Sequence, residues 1–374
     1  MDSLAGRLAD RIRREGPLRF DVFQEAALYD PDGGYYERPG RVGRGGDFVT
    51  ASTWHPAFAR CLARVARQLR DALGAPIDVV DVGAGEGELL GAIGEALRRD
   101  GDAGRGFRLA GVERSATRRA RASERDPSAA WASTLEEIPV ALSGLVVAYE
   151  LFDALPVRAL LFEGGRLLER VVALGAGGGF EWAVSPCADG DATLESLRGR
   201  GVRLREGQAL EIRPAAAGLA RGLAARLSRG LLLVFDYGAR SRSLYGTARS
   251  GGTLEAFHAH RVSRDVLSDP GSRDITAWVD FSEIEAACSD AGLVVSGLVS
   301  QARFLAAAGI GEEIAAAEGL PSESDRLVER HTLGELVAPG GMGESIRVLV
   351  ASRDADLAGR LVQWPDRGIV PSNH

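Results

Sequence analysis

The sequence predicts an α/β fold in which helices cover both faces of a mostly parallel β-sheet. Short apolar runs typical of buried strands alternate along the chain with stretches of helical periodicity. The apolar runs are 77–82, 107–112, 145–149 and 231–235, and the helical stretches between them include 88–98, 116–124 and 215–227. Because ligands bind beyond the carboxyl ends of parallel strands, the residues after each run are the first candidates for a functional site.

Residues 1–75 are predicted to form a helical cap in front of this sheet. Apolar residues recur at helical spacing over 4–12, a second helical pattern covers 58–73, and a loop rich in glycine and aromatic residues separates them. The arginine-rich stretch 1–20 has the composition of a transit peptide, but its acidic residues oppose that interpretation and no apolar segment follows. We therefore interpret this stretch as a structural helix.

The rest of the chain divides into a core at 76–300, a helical excursion with a final strand at 301–352, and a loose tail at 353–374. Within the core, two apolar runs joined by a Glu-Gly-Gly-Arg turn predict a β-hairpin insertion at about 157–186. The last elements are a helix at 280–291 and strands at 293–299 and 345–351.

Composition excludes several classes of protein. The 374 residues have a formal net charge of −7, and no apolar run is long enough to cross a bilayer, so we expect neither a nucleic-acid-binding surface nor a membrane protein. Three widely spaced cysteines without CxxC spacing disfavour disulfides and fit a reducing cytoplasm. His258 and His260 lack a visible third ligand, so no metal is expected. The expected partner is a small molecule or a protein, and a homodimer is compatible with the sequence.

The first predicted strand ends in an acid and continues into a glycine-rich turn. Its glycines have the spacing GxGxG, whereas the dinucleotide-binding fingerprint GxGxxG requires a glycine where this chain has Glu88. Glycines let the backbone turn sharply and approach a ligand closely. The spacing therefore favours S-adenosylmethionine over a nicotinamide dinucleotide, and a ligand-free turn is the alternative. The candidate cofactor contacts are Asp81, Gly83, Ala84, Gly85 and Gly87.

A second acid, Glu113, follows the next predicted strand. Its carboxylate is placed to accept hydrogen bonds from both ribose hydroxyls of a bound nucleoside. A surface glutamate paired with a nearby arginine is the alternative. Ser115 and Leu135 are predicted to complete the cofactor contacts.

Two carboxylates, Glu150 and Asp153, follow the apolar run at 145–149. Methyl transfer from a sulfonium requires a positioned nucleophile in a water-poor pocket. If the methyl acceptor is a guanidinium, these two carboxylates can hold it through charge-assisted hydrogen bonds, so both are candidate catalytic residues. Glu150 is also a candidate cofactor contact. Alternatively, Asp153 only caps the turn that follows.

Several short motifs occur in a fixed order over nearly the whole chain. They are Tyr35-Tyr36, GDFVTA at 46–51, the glycine turn, ELFDALP at 150–156, DYG at 236–238, GTL at 252–254, DITAWVDF at 274–281 and GMGE at 341–344. This set resembles the MidA-like methyltransferases, which include an assembly factor of mitochondrial complex I that methylates an arginine on a partner subunit. The resemblance implies a Rossmann-like class I methyltransferase with S-adenosylmethionine as its cofactor.

The same resemblance implies that the loop 47–50 folds over the cofactor, with Phe48 excluding water and Thr50 near the methionine end. The pattern of residues alone predicts only a packed loop. A small-molecule acceptor, or a cofactor-binding assembly factor without turnover, stays open because the chain departs from the family pattern in several places. These departures are Ser52, Thr53, Glu86, Tyr149 and Trp278.

Overall fold

The computed structural model describes residues 3–38, 55–99, 106–259 and 261–354, together with residues 357 and 359. The loop at 47–50, His260 and most of the predicted tail lie outside these residues. The strands are β1 (Leu18–Arg19), β2 (Ile77–Val82), β3 (Phe107–Val112), β4 (Ala130–Ala132), β5 (Leu142–Tyr149), β6 (Arg158–Glu163), β7 (Arg166–Leu174), β8 (Phe180–Pro186), β9 (Gln208–Ile212), β10 (Leu227–Ala239), β11 (Glu255–His258), β12 (Arg261–Ser263), β13 (Asp274–Thr276), β14 (Val279–Asp280), β15 (Val294–Ser300) and β16 (Ile346–Ser352). The α-helices are α1 (Leu4–Glu15), α2 (Phe20–Tyr29), α3 (Pro56–Leu73), α4 (Glu88–Arg99), α5 (Ala116–Arg125), α6 (Gly190–Gly199), α7 (Ala216–Arg226), α8 (Ser241–Leu244), α9 (Phe281–Asp290), α10 (Gln301–Ala307), α11 (Ile310–Glu318), α12 (Glu323–Val337) and α13 (Met342–Ser345).

The central sheet has the strand order β15-β16-β10-β5-β2-β3-β4, with β14 beside the end of β10. Strands β10, β5, β2, β3 and β4 are parallel to one another, whereas β16 runs antiparallel between β10 and β15. The predicted α/β class is confirmed, and so are the strands expected at 77–82, 107–112, 145–149 and 231–235. Because these strands are parallel, the residues that follow them meet at one edge of the sheet.

Helices cover both faces of the central sheet. On one face, α3, α4 and α10 to α12 pack over a core that includes Val79 and Leu145. On the other face, α7 and α9 pack over a core that includes Val80 and Val146. Neighbouring residues of one strand thus enter opposite cores, as expected for strands buried on both sides. Within the described residues, none of the helices combines the length and apolar character needed to cross a membrane.

The region expected to form a hairpin belongs to a second, antiparallel sheet. Strands β6 and β7 form the hairpin, β1 and β8 also pair with β7, and β9 pairs with β6. A third antiparallel sheet, in the order β12-β11-β13, lies between β10 and α9 in sequence. The sequence did not predict this third sheet, because strands of three or four residues are too short to show a clear alternation.

The expectation for the N-terminal region is confirmed in one place and wrong in another. The helical spacing over 4–12 is confirmed by α1, which ends at Glu15, so the remainder of the stretch 1–20 does not belong to this helix. The stretch expected to be a loop contains α2, in which Phe20, Phe23 and Ala27 are fully buried. Aromatic residues favour strands locally and concealed this helix, whereas its packing against β6, β7 and β13 stabilises it.

Gly230 and Gly144 lie side by side where β10 pairs with β5. Gly230 has φ +117°, and a Cβ atom there would lie 1.9 Å from the carbonyl oxygen of Gly144. We expect Gly230→Ala to destabilise the fold by about 4 kcal/mol or more, because two paired backbones cannot separate without breaking the sheet. Gly178→Ala is the control, since Gly178 has φ +78° with open space around its Cβ position among the described residues. It should cost only about 1–2 kcal/mol. Urea unfolding measures the free energy of unfolding of both variants, and equal losses of stability would contradict the role of Gly230.

Candidate active site

A cavity of about 830 Å³ opens at the carboxyl ends of β2, β3 and β5. One part, which we call the glycine half, is lined by the turn after β2, by Glu113 and by 133–135. The other part, the acidic half, is lined by tyrosines of the N-terminal region, by residues after β5 and by the sheet of β11 to β13. Its carboxylates are Glu150, Asp153, Glu255 and Asp274. The strand ends therefore meet around one space, as the parallel sheet predicted.

Three glycines of the turn have positive φ angles but different surroundings. A Cβ atom on Gly83 would lie 2.7 Å from Leu151, and one on Gly87 would lie 2.9 Å from Trp131. A Cβ atom on Gly85 would meet no atom of the described residues within 4 Å, and Gly85 lines the cavity. Gly85 is thus the glycine that lets a ligand approach the backbone, whereas the other two are required by packing. This open cradle fits S-adenosylmethionine.

The two acids of the glycine half are held in place by burial and by backbone donors. Asp81 is buried, and this burial, reinforced by the charge of Glu113, raises the pKa of Asp81 to about 7. Glu113 accepts hydrogen bonds from the backbone N–H of Gly85 at 2.9 Å and of Ser115 at 2.8 Å. Burial raises the pKa of Glu113 as well. Glu113 is therefore not an exposed residue paired with an arginine.

The predicted cofactor contacts divide into three groups. Those that line the cavity are Asp81, Gly83, Ala84, Gly85, Glu113, Leu135 and Glu150. Gly87 and Ser115 do not border it: Gly87 packs beneath the turn, and the Ser115 hydroxyl caps α5 and donates to Glu37 at 2.9 Å. Phe48 and Thr50 lie outside the described residues, so their role stays a prediction.

Glu150 follows β5 with the unusual φ of +47° for a residue other than glycine, and its N–H donates to the carbonyl of Phe235 at 2.9 Å. Its Oε1 atom is buried and has no hydrogen-bond partner among the described residues. Burial, together with the nearby charge of Asp153, raises its pKa well above the usual range. A buried acceptor without a donor marks this side chain as a place for a ligand.

Asp153, the second predicted catalytic residue, is also buried and lines the cavity. Burial raises its pKa to about 6, against the opposing charge of Arg213. The loop that carries it is fixed by Asp236 at the end of β10, whose carboxylate accepts hydrogen bonds from the N–H groups of Phe152 and Asp153 at 2.9 and 3.2 Å. Asp236 therefore holds in place the loop whose residues line this part of the cavity.

Sequence reasoning did not assign the residues that close the acidic half. Tyr36 donates from its hydroxyl to the carboxylate of Asp274 at 2.8 Å, and Tyr29 donates to the carbonyl of Ala154 at 3.1 Å. The guanidinium of Arg114 lies 3.9 Å from the ring centre of Tyr29. Tyr36 and Asp274 belong to the short motifs that resemble the family, and the sequence marked them in no other way.

The departures from the family pattern have different surroundings. Glu86 lines the cavity and forms an ion pair with Arg121 at 3.3 Å. Tyr149 packs its ring against Phe58, with ring centres 5.0 Å apart. Trp278 lines the acidic half, where the Arg249 guanidinium stacks on its ring, whereas Ser52 and Thr53 lie outside the described residues. Glu86, Tyr149 and Trp278 therefore all lie at the cavity, and Trp278 does so in its acidic half.

Known proteins match both the sequence and the fold. Residues 57–299 match the model of a family of S-adenosyl-L-methionine-dependent methyltransferases. The mitochondrial protein arginine methyltransferase NDUFAF7 homolog of Drosophila melanogaster is 27% identical, with 81% of this chain and 74% of that protein covered. The NDUFAF7 protein of Danio rerio is 24% identical, with 96% and 89% covered.

A solved structure agrees with these relatives. The crystal structure of a COG1565 superfamily member from Burkholderia thailandensis, bound to S-adenosyl-homocysteine, is 34% identical and has a TM-score of 0.83, with 96% of this chain and 94% of that chain covered. The glycine turn, the buried strand-end acids and these matches lead to one assignment. The chain belongs to the MidA-like family of S-adenosylmethionine-dependent methyltransferases.

Proposed function

We propose that this methyltransferase acts on an arginine side chain of a protein. The observation that carries the proposal is the buried Oε1 atom of Glu150, which has no donor among the described residues and lies in the acidic half of the cavity with three further carboxylates. A guanidinium supplies several N–H donors and the positive charge that such a site requires. The arginine methyltransferases of fly and zebrafish named above support the same acceptor.

The two halves of the cavity divide the chemistry between them. The glycine turn and Glu113 would hold S-adenosylmethionine, which would supply a methyl group on a positively charged sulfur and leave as S-adenosylhomocysteine with the electron pair of the broken C–S bond. Glu150 and Asp153 would orient a guanidinium nitrogen toward the methyl carbon, and an ionised carboxylate there would take the proton that this nitrogen loses as its bond to the carbon forms. Phe257 and Trp278 provide an apolar wall that limits the access of water.

A small-molecule acceptor is the second candidate. The acidic half is lined by the aromatic side chains of Tyr36, Phe257 and Trp278. Aromatic faces of this kind also bind a planar organic molecule. The two candidates differ in where the methyl group is found after the reaction.

Methyl transfer from radiolabelled S-adenosylmethionine to an extract of cells that lack this protein tests the proposal. We expect the label in protein, and mass spectrometry should find methylated arginine. Label in a low-molecular-weight fraction would instead support the second candidate. If the protein binds S-adenosylhomocysteine yet labels no component, both candidates fail and an assembly factor without turnover is supported.

The pKa shifts of the acidic half make acceptor binding dependent on pH. Burial raises the pKa of Asp153 to about 6 and that of Glu150 above the usual range, so below these pKa values the two carboxyl groups hold protons that a guanidinium must displace. Binding of the probe ethylguanidinium should therefore tighten as the pH rises through about 6, the raised pKa of Asp153, by up to about tenfold per pH unit for each proton released. Calorimetry in buffers of different ionisation enthalpy counts these protons. Affinity that is independent of pH would contradict the assignment.

We also propose that the protein works in the cytoplasm. Its three cysteines are all free, and free thiols persist in that reducing compartment. Cell fractionation tests this proposal, and recovery of the protein with an organelle would contradict it.

A further inference from the structure

Arg213 is a buried cation behind the acidic half of the cavity. It directly follows β9 and is 5% exposed. Among the described residues, no carboxylate lies within ion-pair distance of its guanidinium. Burying a charge is energetically costly unless other groups compensate it, so the hydrogen-bond partners of Arg213 indicate what this residue does.

In the part of the chain that the structure describes, all of its hydrogen bonds go to backbone carbonyl oxygens. In the segment after β5, Nε donates to Leu155 at 3.1 Å and Nη2 donates to Asp153 at 3.1 Å. In the segment before β14, Nη2 also donates to Ala277 at 2.7 Å, and Nη1 donates to Trp278 at 3.3 Å. One side chain thus joins two segments that are more than a hundred residues apart in sequence. The side chains of both segments line the cavity.

We infer that Arg213 is a positioning residue, which clamps the segments 153–155 and 277–278 together and so sets the shape of the wall against which the methyl acceptor binds. A planar guanidinium with five donors can bond both segments at once, whereas the ammonium group of a lysine is a compact point charge on a flexible stem. Without the clamp, the only hydrogen bond between these segments in the described residues is that of the Ala277 N–H to the Asp153 carbonyl, at 3.4 Å.

The charge of Arg213 has a second consequence for the site. It lowers the pKa of Asp153 and of Asp236, against the burial that raises both. The guanidinium therefore favours the ionised form of Asp153 without contacting its carboxylate in the described structure. This role depends on methyl transfer at the cavity but not on the identity of the acceptor.

Arg213→Lys tests the clamp, because it keeps the positive charge and removes the planar guanidinium that bonds both segments. Hydrogen exchange followed by mass spectrometry should show faster exchange in 153–157 and 274–280, with unchanged exchange in the glycine turn. S-adenosylhomocysteine affinity should stay within about twofold, while methyl transfer to the cell extract should fall on the order of tenfold to a hundredfold, as expected for a misplaced acceptor.

Arg158→Lys is the matched control. Arg158 is also buried, but it pairs with Glu169 and Asp189 in the second sheet and does not line the cavity. In this variant, hydrogen exchange in both cavity segments and the rate of methyl transfer should stay unchanged. Arg213→Gln, which removes the charge as well, should in addition shift the acidic limb of the pH profile of transfer to higher pH.

Two results would overturn the inference. One is unchanged exchange in both segments of Arg213→Lys. The other is faster exchange over the whole chain, which would show that Arg213 supports the fold in general. Both results come from hydrogen exchange, which does not depend on catalysis, so they test the inference even if no arginine acceptor is found.

Discussion

Gly85→Val is expected to abolish cofactor binding. Gly85 lines the glycine half, and a Cβ atom at this position would meet no atom of the described residues within 4 Å. A valine side chain would therefore occupy the volume that the cofactor needs. We expect S-adenosylhomocysteine affinity to fall by roughly a hundredfold or more, which corresponds to about 2.8 kcal/mol. Isothermal titration calorimetry measures this loss directly.

The chain provides a closely matched control for this substitution. Gly164, in the turn between β6 and β7, has the same φ of +58° and also has open space around its Cβ position in the described structure. Gly164→Val should therefore suffer the same backbone strain, about 1–2 kcal/mol, without any loss of cofactor affinity. If both variants bind S-adenosylhomocysteine equally well, the glycine turn is not the cofactor site.

Glu150→Gln should reduce methyl transfer on the order of a hundredfold while cofactor affinity stays unchanged. The amide keeps the size of the side chain but can neither pair with a cationic acceptor nor take its proton. Transfer of radiolabel to the cell extract and calorimetry with S-adenosylhomocysteine separate the two effects. A fully active variant would remove Glu150 from the proposed mechanism.

Glu150→Gln should lose activity but gain stability relative to the wild type. Burial raises the pKa of Glu150 above its ordinary value of 4.5, so the folded state holds a proton that the unfolded chain releases. The wild type therefore loses stability as the pH rises from that ordinary value through the raised pKa, and Glu150→Gln does not. The melting temperature of the variant should exceed that of the wild type by an amount that grows as the pH rises above 4.5.

Glu313→Gln is a control for both measurements. Glu313 is also buried, but it forms ion pairs with Arg60 and Arg64 on α3 and does not line the cavity. Its replacement should lower the melting temperature, because both arginines lose this buried partner and Arg64 keeps only its ion pair with the exposed Glu312. It should leave transfer unchanged. A variant that instead loses transfer would show that general destabilisation explains the result for Glu150.

The strand ends could be located from the sequence because their signals are local. An apolar run, a terminal acid and the spacing of the following glycines identified Asp81 and Gly85 within ten residues of chain. The other wall of the cavity has no such local signal. Tyr36 reaches Asp274 across 238 positions of sequence, and the strands that carry the acidic half are too short to show a period.

The sequence by itself determined the parallel sheet, the glycine turn and the two carboxylates of the ELFDALP motif, since each depends on neighbours in the chain. Only the tertiary structure decided which glycine faces the ligand, because Gly83 and Gly87 are constrained by Leu151 and Trp131 from other segments. It also decided the acidity of the site. Burial and nearby charges set the pKa values of Asp153 and Glu150. The burial and the placement of these charges both result from packing between segments that are remote in sequence.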